Sequence, residues 1–70
     1  MQIDTNLADE AIRFADGSDI HDIVALAAMY LTLAREPGLD EAVTETERTL
    51  RAFVVRKRLE RALLSRKTLG

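Results

Sequence analysis

The chain has 70 residues and a mass of 7.8 kDa, with 47% apolar and 31% charged residues and a net charge of −2. These values fit one small folded domain and exclude both a second domain and a disordered polar chain. There is no cysteine, which removes disulfides, thiolate metal sites and cysteine nucleophiles; one histidine and three scattered glycines leave few means of catalysis or phosphate cradling.

Charge is unevenly spread. Residues 1–41 carry nine carboxylates against Arg13 and Arg35, a balance of −7. Residues 42–70 carry eight bases against Glu45, Glu47 and Glu60, a balance of +5. An acidic body with a basic tail favours self-association or an acidic partner for the tail. Met1 is followed by acidic residues, and the longest apolar run, 23–34, has 12 residues where a membrane span needs about 20. The expectation is a soluble cytoplasmic protein with no membrane partner.

Met1 and Ile3 alternate with Gln2 and Asp4, a pattern that allows a short strand over residues 1–4. Thr5 or Asn6 is then the expected cap of a first helix over about 7–16, with Asp9 and Glu10 in its first turn. Leu7, Ala8, Ala11, Phe14 and Ala15 make its apolar stripe, and Gly17 can end it in the left-handed conformation.

Ser18 or Asp19 caps a second helix over about 19–35, which Glu36-Pro37-Gly38 stops. Between Ile23 and Ala34 this segment has almost no polar face. A helix apolar all round needs cover all round, so the expectation is a homodimer with Ile23, Leu26, Ala27, Tyr30 and Leu31 in the dimer core.

A third helix spans about 40–67. Leu39, Ala42, Val43, Thr46, Leu50 and Phe53 share one side, whereas Ala52, Val55, Leu59, Ala62 and Leu63 lie opposite. Either this helix breaks near residues 53–55 or its halves face different partners. The expected fold is thus all-α and dimeric, with three helices and an optional N-terminal strand. Residues 1–55 form its helical dimerisation core and residues 56–70 a basic tail.

His21 with Asp19 and Asp22 is the one cluster resembling a metal or acid–base site. Those residues are ordinary at a helix start and lack the spaced partners a metal requires, so no metal, cofactor or enzymatic activity is expected. Arg51, Arg58 and Arg61 can share a side, which keeps nucleic-acid binding open, although a sequence pI near 5.3 is far from basic. The basic segment lacks tryptophan and the dense large apolar residues that anchor a helix in a membrane surface.

The stretch from Ile3 to Ala15, with Ile3-Asp4 leading into Leu7-Ala8-Asp9-Glu10-Ala11, resembles the opening of VapB-type antitoxins. The stretch Thr49 to Glu60 resembles that family's second helix and its basic continuation. Alternatively, residues 19–33 match the second helix and the basic helix is the toxin-binding tail, an alignment that keeps the chain order of strand, helix, helix, tail. The resemblance implies a ribbon-helix-helix dimer that binds operator DNA through paired strands and neutralises a nuclease toxin with its C-terminal segment. Gln2 and Asp4 would then lie on the DNA-reading strand, where the absence of a base makes a poor phosphate reader. The tail would meet a carboxylate-rich metal site through Arg56, Arg58, Arg61, Arg66 and Lys67, with Leu59, Leu63 and Leu64 as apolar anchors. The functional expectation is an antitoxin with an acidic protein partner. The alternatives are a small nucleic-acid-binding transcriptional regulator and a structural helical adaptor.

Overall fold

A computed structural model describes the backbone of residues 3–69 and the side chains of residues 3–66. Three helices follow in order: α1, Thr5–Phe14; α2, Ile20–Leu33; and α3, Asp40–Leu69. One turn of 3-10 helix, Gly17–Asp19, lies between α1 and α2. The described residues contain no strand. Of the expected strand, Met1 and Gln2 lie outside the described residues. Ile3 packs against the core and Asp4 serves the helix that follows.

That helix starts earlier than its sequence suggests. Asp4, not Thr5 or Asn6, is the cap: its Oδ1 accepts a hydrogen bond from the Leu7 N–H at 3.1 Å. An aspartate there satisfies an amide that no helical carbonyl can reach. The earlier start moves Asp9 and Glu10 out of the first turn, which holds no acid. Asp4→Ala should cost about 1 kcal/mol of stability, read from urea unfolding.

Ala15 ends α1 in extended conformation, its N–H donating to the carbonyls of Ala11 and Ile12. Gly17, at φ 52°, then turns the chain, and Gly38, at φ 84°, does the same between Pro37 and α3. Both positions need a left-handed backbone that a β-carbon would strain.

The core is made by one chain. Leu7, Ala8, Ala11 and Ala15 of α1 and its C-cap meet Ile23, Ala27 and Tyr30 of α2 and Val43, Leu50, Phe53 and Val54 of α3. The alanines let three short apolar faces approach closely, while Tyr30, Leu50 and Val43 supply the bulk. Buried Thr46 keeps its hydroxyl satisfied by donating to the Ala42 carbonyl at 2.8 Å.

The reading of α2 changes, and of the two alternatives for α3 the break drops out. Ile23, Ala27 and Tyr30 are buried in their own chain, and Leu26 and Leu31 pack partly against the same core, so these residues are not a free dimer surface. The face left open on α2 is Val24, Ala25, Ala28 and Met29, with Ile20 beside it. The third helix neither breaks nor ends near Phe53. It continues through 30 residues, about 45 Å, against about 21 Å for α2. The molecule is accordingly elongated, 50 × 20 × 15 Å.

Candidate protein-binding surface

Tyr30 fixes α3 against the rest of the body. Its hydroxyl accepts from the Asp4 backbone N–H at 2.8 Å and donates to Glu47 Oε2 at 3.0 Å. The other Glu47 oxygen accepts from Arg51 at 2.6 Å. One side chain therefore ties the N-terminus, α2 and α3 together. Sequence patterning finds Tyr30 as a core residue, but nothing in its spacing reveals the polar partners at either end.

Past Phe53 the bases of α3 fall into two sets. The inner set faces the body. Lys57 reaches Asp19 at 3.2 Å, Asp16 at 3.6 Å and Glu60 at 3.8 Å, and its ammonium lies 5.5 Å from the Phe53 ring centre. Its side chain is only 15% exposed, which separates it from the surface ion pairs of α3. Arg58 pairs with Glu10 of α1. The Arg61 guanidinium sits 4.4 Å from the centre of the Phe14 ring. Together, Lys57, Arg58 and Arg61 turn the acidic turn and α1 into a clamp on the middle of α3.

The outer set borders an apolar strip. Arg48, Ala52, Val55, Arg56, Leu59, Ala62, Leu63 and Arg66 succeed one another on the opposite side of the helix, and all are exposed. Val55 is 48% exposed, Leu59 61% and Leu63 56%, values that mark a face without cover. Arg48 holds Glu45 at 3.2 Å in a pair about 70% exposed on both sides. Arg56 has only a 3.9 Å approach to Glu60 and lies 5.9 Å from the Phe53 ring centre. Such pairs are worth a few tenths of a kcal/mol and yield readily to a better partner. At the body end, an open groove of about 360 Å³ lies between α2 and α3, lined by Ile23, Thr49, Ala52, Phe53 and Arg56.

The expected partner-binding residues are therefore divided. Arg56, Leu59, Leu63 and Arg66 are on the outer strip, and Leu64 is exposed. Arg58 and Arg61 are engaged with Glu10 and Phe14 and act as anchors within the chain. The Lys67 side chain lies outside the described residues. Arg48, Ala52, Val55 and the groove belong with the strip. The four- and three-residue steps from Arg48 through Ala52, Val55 and Leu59 to Ala62 and Arg66 are the signal that identifies them. Arg51, the third base of the nucleic-acid alternative, is held by Glu47.

No group of three or more His, Asp or Glu among the described residues is placed to hold a metal ion. His21 and Asp22 are both exposed on α2, and Asp19 turns to Lys57. No described helix is long and apolar enough to cross a membrane.

Two groups give the fold an alkaline limit. Burial pushes the Tyr30 hydroxyl above its ordinary 10.0, with Glu47 adding to the effect and the Asp4 N–H opposing it. The Asp19 hydrogen bond raises Lys57 above 10.5, with Asp16 and Glu60 adding to the effect against the desolvation that opposes it. Each raised group holds its proton more tightly when folded. Its stabilisation is complete below the unfolded value and is lost as pH climbs through the folded one. Stability should thus fall from near pH 10 upward. Tyr30 is the only tyrosine and there is no tryptophan, so the tyrosinate absorbance band reports that residue alone. Its midpoint should lie above 10.0 when folded and return to the ordinary value in urea.

Comparison with family models, with curated proteins and with solved structures finds no match to this chain.

Proposed function

We propose that this chain is a non-enzymatic, cytoplasmic binding protein that holds an acidic partner protein on the outer strip of α3, in the manner of an antitoxin neutralising a nuclease toxin. The observation that carries this reading is the segregation of charge along one helix. The inner bases Lys57 and Arg58 are matched by Glu10, Asp16 and Asp19, while on the outer strip Arg48 and Arg56 have only exposed partners, Glu45 and Glu60, and Arg66 pairs with no carboxylate among the described residues. Apolar anchors rimmed by arginine are the composition of protein-binding hot spots. Val24, Ala25, Ala28 and Met29 of α2 supply a second apolar face on which two copies can associate.

A nucleic-acid role draws less support. Arg51, Arg58 and Arg61, the bases that would meet phosphates, each have an internal partner. Binding governed by phosphate contacts would fall steeply between low and physiological salt.

The test compares wild type with Leu59→Glu/Leu63→Glu as bait in a lysate of the source cell. Wild type should retain an acidic protein that the variant loses, and that protein should be a metal-dependent nuclease silenced by the chain. Equal retention by both baits, or retention of nucleic acid in place of protein, would contradict the proposal.

A further inference from the structure

We infer that the groove between α2 and α3, together with Leu59 and Leu63, is a docking site for an acidic amphipathic helix of the partner. This inference rests on the reading of an acidic protein partner and adds the shape of what binds. The groove is lined by the apolar side chains of Ile23, Ala52 and Phe53 together with Thr49 and Arg56, and is open to solvent. Ala52 is exposed, so nothing bulky from its own chain fills the space beside it. Leu59 and Leu63 lie two and three turns further along the same side of α3. A cleft leading onto a straight apolar strip is shaped for a helix that places one large side chain in the cleft and others, one turn apart, along the strip.

Charge selects among helices. Arg48, Arg56 and Arg66 lie along the strip; Glu45 pairs with Arg48 and Glu60 lies 3.9 Å from Arg56 and 3.8 Å from Lys57, exposed pairs that a better-placed carboxylate can replace. A helix with carboxylates beside its apolar stripe gains up to three charge-assisted contacts, and a basic helix meets repulsion. A second copy of this chain is a poorer occupant along the strip. The outer stripe of a second α3 carries the same arginines, so like charges would face one another near its centre.

The probe is a synthetic helix of about five turns, stapled to hold its shape, with leucines on one face and glutamates on both flanks. Two controls accompany it: the same helix with every glutamate changed to lysine, and an unstapled peptide of equal composition with scrambled order. Titration into the full chain, followed by calorimetry, should show binding of the acidic helix and little of either control. Ala52→Trp, which fills the cleft from an exposed position, and Arg56→Glu should each weaken that binding about tenfold or more. Circular dichroism should be unchanged in both variants. Equal binding of acidic and basic helices, insensitivity to Ala52→Trp, or equal binding of the scrambled peptide would overturn the inference. So would a dimer of the free chain that Ala52→Trp dissociates, since the occupant would then be a second copy. If the acidic helix fails here while the capture from lysate distinguishes wild type from Leu59→Glu/Leu63→Glu, the partner's charge is right and its helical form is wrong. If the helix binds and the lysate capture fails, the antitoxin reading falls and the groove stands.

Discussion

Replacing Tyr30 by alanine is expected to unfold the chain. Tyr30 is completely buried and is the largest side chain in the core. Truncating a buried aromatic to alanine costs about 3–5 kcal/mol, and a domain of this size has about that much to lose. Tyr30→Phe separates the polar part of the effect. The ring stays, but the Asp4 N–H loses its acceptor and Glu47 loses a donor. A cost of about 1–3 kcal/mol is expected in urea unfolding, because a partly buried amide is left without a partner. A Tyr30→Phe variant as stable as wild type would show that the ring packs and the network contributes nothing.

The second large effect is functional. Leu59→Glu/Leu63→Glu should abolish partner binding and leave stability within about 0.5 kcal/mol of wild type, a melting-temperature change of about 4 °C or less. Both leucines are more than half exposed and lie outside the core, so the folded state loses little packing when they change. Leu50→Glu on the same helix provides the contrast. That residue is fully buried, and an unpaired carboxylate there should prevent folding. A matched loss of fold in the Leu59→Glu/Leu63→Glu variant would mean that the strip is already covered.

The three helices and the two faces of α3 are legible in the sequence because they depend on periodicity and on Gly and Pro punctuation. Val43, Thr46, Leu50 and Phe53 fall on the buried side as the spacing requires, and Ala52, Val55, Leu59, Ala62 and Leu63 on the exposed side. Helix boundaries are less legible. The cap at Asp4 depends on that residue staying extended while its carboxylate reaches the Leu7 N–H, which no pattern of apolar residues encodes.

The surplus of apolar residues on α2 is misleading in a specific way. Alanine counts as apolar in a wheel but presents so little surface that Ala25 and Ala28 can stand in solvent at low cost. The demand for cover is therefore smaller than the run from Ile23 to Ala34 suggests, and one chain buries Ile23, Ala27 and Tyr30 alone. The division of the bases is hidden for another reason. Lys57, Arg58 and Arg61 look like Arg56 and Arg66 in sequence. What separates them is their approach to Glu10, Phe14, Asp16 and Asp19, from 38 to 48 residues earlier. Long-range pairing of this kind leaves no local trace.

The division of α3 into a clamped inner edge and an open outer strip is tested most directly by amide chemical shifts during titration with the acidic helix. Shifts should concentrate at Thr49, Ala52, Val55, Arg56, Leu59 and Leu63, while Glu10, Asp16, Asp19, Lys57 and Arg61 stay in place. Shifts centred on Glu10, Asp16 and Asp19 as the ligand binds would instead show the inner bases leaving the body to meet it, and the division would not exist.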